Sequence, residues 1–222
     1  MISSSYQPNM FHLAKVAYCQ PGNLLQHSQN VAVLAADLAQ SYGCNKLEKD
    51  QIFMGCLFHD IGKQFIPSEV INKKGRFTTE EFEDIKLHTW KGYNYLINLI
   101  SDPVILQTVL YHHERWDGSG YPYGLASNEI PLCARICAVV DVWDALISDR
   151  CYRSAWDLTQ AFELIWTGGG SLFDPDIAFL FLEMIEKKSS NGQLVKNVSL
   201  KIKPRHPEFL RNPGTYKGIN PN

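Results

Sequence analysis

Six cysteines are scattered through the 222 residues, yet none forms a CxxC pair and their spacing outlines no disulfide framework. That speaks against a small stapled secreted fold and against a structural zinc knuckle, and it points to a reduced, cytoplasmic setting. Cys56, Cys133 and Cys137 instead lie in apolar helical stretches, where a free thiol serves as a small buried hydrophobe. No basic stretch followed by an apolar core opens the chain, and no run approaches ~18 uninterrupted apolar residues, so neither a signal peptide nor a membrane span is expected. Strong charge of one sign is lacking as well. A net charge of −2 gives no general electrostatic case for a nucleic-acid polymer or an acidic membrane as partner. Alternating strand patterns, internal repeats and low-complexity blocks are missing too.

What remains is helical periodicity. The spacing predicts a first helix over about 8–19 and a second over about 24–42, with Val31, Leu34, Ala35 and Leu38 on its apolar face and Gly43 ending it. A third, over about 46–60, carries Ile52, Phe53, Met54, Leu57 and Phe58 and delivers His59 and Asp60 near its C-terminal end. Thr78-Thr79-Glu80-Glu81 reads as a capping box that opens one long helix to about 100, containing His88. Asp102-Pro103 combines an N-cap with proline at the first helical position and starts the helix that ends in His112-His113. A Gly/Pro-rich loop over 116–130 follows, then helices over about 131–148, 157–167 and 175–188. The expected architecture is a single-domain, all-α bundle over 24–188. Residues 1–23 form a short helical lead-in, and 189–222 a basic extended tail with six Lys/Arg against one Glu.

Metal-binding side chains recur in five clusters: His27, His59-Asp60, His88, His112-His113 and Asp141. A lone histidine is more often a packed or surface residue than a ligand, but paired members in five clusters, holding five of the seven histidines, reverse that balance. Imidazole plus carboxylate without cysteine suits Mn, Fe, Ni or Co in a hydrolytic site better than structural zinc. Asp60 is the candidate bridge, since a carboxylate can span two ions about 3.5–4 Å apart. His27, His59 and Asp141 would complete one site, and His88, His112 and His113 the other. Two cations would neutralise phosphodiester oxygens and lower the pKa of a bridging water. Lys63, three residues beyond Asp60, can lean toward the same place and hold a phosphate oxygen.

HDIGK (59–63), His88, HHERWDGSGYP (112–122), DVWDAL (141–146), DRCYR (149–153) and FDPDI (173–177) occur in that order. Over roughly residues 24–185 the chain resembles the HD-GYP family of HD phosphohydrolases. The resemblance implies hydrolysis of cyclic di-GMP to pGpG and onward to GMP by a metal-bridging hydroxide, with Fe or Mn favoured and Ni or Co able to substitute. It implies His27, His59, Asp60, His88, His112, His113 and Asp141 as metal ligands, and Lys63 beside Asp60 in the catalytic role. Lys63, Tyr121, Arg150 and Arg153 become the substrate contacts; paired guanidinium groups suit phosphate oxygens. Asp144 and Asp149 are read as carboxylates that orient ligands or arginines. Some members hold a third metal through a glutamate four residues before the first histidine; Asn23 stands there, so two divalent ions are expected.

The resemblance also implies contact with a diguanylate cyclase domain through the GYP loop, and a homodimer is a further expectation. Residues before 24 are too few for a receiver domain. Three alternatives stay open: a binding module with little turnover, a phosphodiesterase for 3′,3′-cyclic GMP-AMP, and another nucleotide-directed HD hydrolase.

Overall fold

The computed structural model describes residues 22–73, 75–148 and 154–188. The expected lead-in helix, the basic tail and the DRCYR segment with Arg150 and Arg153 therefore lie outside the described residues. Nine α-helices are present among the described residues: α1 (Gly22–Tyr42), α2 (Lys46–Phe58), α3 (Ser68–Ile71), α4 (Thr79–Lys86), α5 (His88–Leu96), α6 (Pro103–Tyr111), α7 (Leu132–Ile147), α8 (Leu158–Gly168) and α9 (Pro175–Lys188). Short 3₁₀ turns occupy Ile61–Phe65 and Ser127–Glu129. Only isolated bridges, Asp117 with Ala126 and Gly169 with Phe173, interrupt the helical architecture among these residues. The fold is an all-α bundle, and no described helix is long and apolar enough to cross a membrane.

Local chemistry sets most boundaries. Gly43 ends α1 with φ +99°, and the Gly43 and Cys44 amides donate to the Gln40 and Ala39 carbonyls, as a left-handed terminal glycine allows. Asn45 and Glu48 form a reciprocal capping box for α2, and Thr78 and Glu81 do the same for α4. The Asp102 carboxylate accepts from the Val104 and Ile105 amides at the start of α6.

One expectation needs correcting. The segment from 79 to 100 is two helices, broken at Leu87 and ending at Leu96. No residue of α4 is buried, whereas α5 buries His88, Thr89, Gly92 and Leu96. A straight helix could not ride outside the bundle for two turns and then enter it. Neither proline nor glycine marks the break, so periodicity alone ran through it.

The core has two parts. The larger joins α1, α2, α7, α8 and α9, with Trp143 on α7 meeting Phe181 on α9 edge to face at 5.5 Å. The smaller gathers Phe58, Ile61, Leu96, Ile105 and Val109 beneath the ends of α2, α5 and α6. Bare backbone at two glycines lets these elements close up. A Cβ on Gly55 would lie 2.5 Å from Thr108 Oγ1, and one on Gly62 would lie 1.8 Å from the His88 carbonyl oxygen.

The glycine of HDIGK is therefore a packing requirement between the 3₁₀ turn and the start of α5. Gly62→Ala should destabilise the domain by about 2–3 kcal/mol through overpacking. Thermal unfolding should then shift down by roughly 5–10 °C; an unchanged melting temperature would contradict the packing argument.

Candidate metal centre

Helix ends deliver most of the candidate ligands. His59 caps the C-terminus of α2, His112 caps that of α6, and His88 is the first residue of α5. His27 and Asp141 project from within α1 and α7. Ligand atoms of Asp60, His88, His112 and His113 lie within 4.8 Å of one another, as do those of His27, His59 and Asp60. These are the two groups expected from the sequence, with Asp60 common to both. Asp141 Oδ1 joins the second group, 3.0 Å from His27 Nε2 and 3.7 Å from His59 Nε2.

The direction of the imidazoles decides what the arrangement can do. Each of three Nδ1 atoms donates to the carbonyl three residues earlier: His59 to Cys56 at 2.6 Å, His88 to Ile85 at 2.7 Å and His112 to Val109 at 3.0 Å. A carbonyl can only accept, so each ring, when neutral, keeps its proton on Nδ1 and points the Nε2 lone pair inward. Nε2 of His88 and Nε2 of His112 lie 3.3 Å apart. Two lone pairs at that separation repel unless an electrophile is shared between them. His59 Nε2 and Asp60 Oδ1 are buried with no hydrogen-bond partner, which is costly in a dry interior. Both orphaned atoms are donors to a cation, and the residues present fit divalent metal ions.

Asp60 faces both groups. Its Oδ1 lies 3.4 Å from His88 Nε2 and 3.9 Å from His112 Nε2, while Oδ2 lies 3.4 Å from His59 Nε2. Lys63 Nζ donates to Oδ2 at 2.5 Å. Burial alone would raise the Asp60 pKa, but the Lys63 and His59 charges hold it well below the usual carboxylate range.

The two histidine groups differ in kind. Burial pushes His88 down to about 4 and His113 to about 3, and it takes His112 well below its ordinary value. Those lone pairs are free at neutral pH. Burial also opposes charge on His27 and His59, but it is outweighed there, by bonds to Asp141 and Asp144 for His27 and chiefly by Asp60 for His59, and both pKa values rise. This half attracts positive charge, whether a proton or a metal ion.

An outer layer supports the ligands. His27 Nδ1 donates to Asp144 Oδ2 at 2.6 Å, and Asn30 donates to the other Asp144 oxygen at 3.0 Å. Asp144, one of the two carboxylates expected near the candidate ligands, therefore contacts His27. Only its spacing, three residues beyond His27, marks Asn30 in the sequence. The Cys56, Ile85 and Val109 carbonyls carry no sequence signal at all. In the GYP loop, the Tyr121 ring packs 4.8 Å from the His113 ring, and the Lys86 ammonium lies 5.7 Å from the centre of the Tyr121 ring. Burial and the charges of Asp60 and Asp141 raise the Tyr121 pKa, so its hydroxyl stays a donor. FDPDI has a structural role: Asp174 accepts from the Asp176 and Ile177 amides at the start of α9 and from Arg135 at 2.6 Å.

A family model described as HD domain matches residues 12–177. The chain belongs to the HD-domain family. Its motif order places it with the HD-GYP members. A cyclic di-GMP phosphodiesterase of Thermotoga maritima is 37% identical to this HD-domain chain over 162 residues, 72% of this chain and 44% of its own length. The 3′3′-cGAMP-specific phosphodiesterase 2 of Vibrio cholerae is 33% identical over 176 residues, 78% of this chain and 34% of its own length. The HD-domain chain thus spans less than half of these curated relatives. Among solved structures, Bd1817, an HDG"Y"P protein from Bdellovibrio bacteriovorus, shares the fold with a TM-score of 0.60 at 18% identity, covering 72% of this chain and 51% of that one.

Because Asp144 fixes the His27 tautomer, Asp144→Ala should weaken metal binding roughly 10–100-fold. Added Mn²⁺ should raise the melting temperature of chelator-treated wild-type protein, since it binds the folded state. The mutant should need correspondingly more metal, and equal titration midpoints would contradict an orienting role.

Proposed function

We propose that this chain hydrolyses a phosphodiester bond of cyclic di-GMP, giving pGpG and then GMP, with two divalent ions, Fe or Mn, and Ni or Co as substitutes. The observation that carries the metal half of this reading is the 3.3 Å approach of two inward-facing Nε2 lone pairs beside an unpartnered buried carboxylate oxygen. On this reading His27, His59 and Asp141 would hold one ion and His88, His112 and His113 the other, with Asp60 shared between the two groups. When bound, such ions supply a hydroxide near neutral pH and neutralise phosphate oxygens.

The protein's own groups do the rest. Lys63, already against Asp60, is a cation that a phosphate oxygen can share. Tyr121 keeps its proton and can donate to the substrate. Arg150 and Arg153 are proposed as guanidinium contacts to the phosphates. Burial of His59, Asp60, His88 and His112 excludes water and strengthens each of these charges. The names of the relatives support a cyclic dinucleotide as substrate. A second reading, 3′,3′-cyclic GMP-AMP, is favoured by the Vibrio cholerae relative named for that activity.

The test is chromatography of products from cyclic di-GMP and, separately, from 3′,3′-cyclic GMP-AMP. Protein purified anaerobically would be supplied with Mn²⁺ or Fe²⁺. We expect pGpG or GMP from cyclic di-GMP at a rate that Asp60→Ala lowers at least ~10³-fold, as loss of an essential catalytic group does. Faster turnover of cyclic GMP-AMP would favour the second reading. Intact dinucleotides with metal bound would refute both.

A further inference from the structure

Glu114 follows the last histidine of HHERWDGSGYP and is only 3% exposed. A buried carboxylate demands partners, and here they are backbone amides rather than a cation. Oε1 accepts from the Tyr123 amide at 2.8 Å and Oε2 from the Leu125 amide at 3.1 Å. Gly124 reaches this position with φ +69°, a conformation that favours glycine. The loop therefore folds back on the residue that follows His113.

Two further ties lie within the same few residues. The Tyr121 amide donates to the His113 carbonyl at 3.2 Å. Gly120 presses so closely on the chain below that a Cβ there would stand 2.3 Å from the Arg115 nitrogen and 2.5 Å from Glu114 Cα. Between these contacts and the carboxylate clamp, Tyr121 has little freedom, and its ring is held against the His113 ring.

We propose that Glu114 is a positioning residue: by clamping residues 123–125 it holds Tyr121 over His113, so that substrate contact and metal centre are set in register by one stretch of backbone. This rests on the reading of Tyr121 as a substrate contact. Glu114 belongs to neither group of candidate ligands, and its carboxylate is taken up by loop amides. It acts through the loop, and its removal should show first in loop order and substrate affinity, not in metal content. An ordinary loop stabiliser would lower the melting temperature without depending on Tyr121; a positioning residue has no further effect once the ring it positions is gone.

The experiment uses the full metal-loaded chain as wild type, Glu114→Gln, Tyr121→Ala and the double variant, with Glu114→Asp as a milder change that keeps the charge and shortens its reach. Glu114→Gln should keep the wild-type metal content by elemental analysis. Amide hydrogen exchange over residues 120–126 should accelerate at least ~10-fold, as expected when a buried clamp is opened. For cyclic di-GMP, kcat/KM should fall roughly 10–100-fold, mainly through KM, the scale of loss expected from a small misplacement of a contact. Added to Tyr121→Ala, Glu114→Gln should cost less than ~2-fold more, because residues acting through one contact are not additive. Glu114→Asp should lie between the wild type and Glu114→Gln in both exchange and KM.

Unchanged exchange, fully multiplicative losses, or metal loss in step with activity would each overturn the proposal. Should wild-type protein cleave no cyclic dinucleotide, the functional reading fails instead. The clamp would then be judged on exchange and metal content alone, and it falls if exchange is unchanged or metal is lost.

Discussion

Every other feature of the centre depends on the convergence of inward-facing lone pairs at a buried point. Nε2 atoms of His59, His88 and His112 cannot turn away, because their Nδ1 protons are committed to backbone carbonyls. Their electron density, together with Asp60 Oδ1, is enclosed where water cannot compensate it. Such an arrangement is unfavourable by itself. It persists because the fold is carried by a core in which Trp143, Phe181, Phe58 and Ile61 are essentially fully buried. Folding free energy from packing offsets the assembly of a site that becomes favourable only with positive charge inside.

The carbonyls that fix these tautomers have a common origin. Cys56, Ile85 and Val109 sit in the last turns of α2, α4 and α6, where the helix no longer supplies regular amide partners four residues ahead and a carbonyl keeps a lone pair for another donor. A histidine just beyond a helix end can use such a carbonyl at no cost to the helix. This gives the break at Leu87 a physical purpose. Had α4 run on into α5, the amide four residues ahead would have competed with His88 for the Ile85 carbonyl that aims its ring. The helix the sequence pattern joins is divided next to His88, a candidate ligand whose ring the Ile85 carbonyl aims.

That break also marks the limit of what the sequence reveals. Caps, terminal glycine and apolar spacing are local, and they located α1, α2, α6 and the later helices within a residue or two. That these histidines and aspartates gather in two groups was legible because such side chains carry their chemistry with them and recur at helix ends. Backbone acceptors have no letter code, so the Cys56, Ile85 and Val109 carbonyls could not be read. Glu114 was equally hidden: within HHERWDGSGYP it looks like any solvated carboxylate, and only the return of residues 123–125 reveals its partners. Long-range closure of this kind is a property of the loop path, not of spacing.

The motif strings therefore mix two kinds of constraint that letters alone cannot separate. In HDIGK, His59 and Asp60 face the centre, Ile61 is core, Gly62 is a contact with α5, and Lys63 is a charge beside Asp60. In the loop, Gly120 is a contact with Glu114, Tyr121 is a ring on His113, and Glu114 is the clamp that joins them. Asp174 in FDPDI caps α9 and pairs with Arg135, whose guanidinium lies 5.8 Å from the centre of the Trp116 ring at the base of the same loop. Residues facing the centre and packing residues alternate along one backbone because the second kind holds the first in place. A match of motif letters identifies the assembly as a whole, while the role of each residue follows from what its atoms touch.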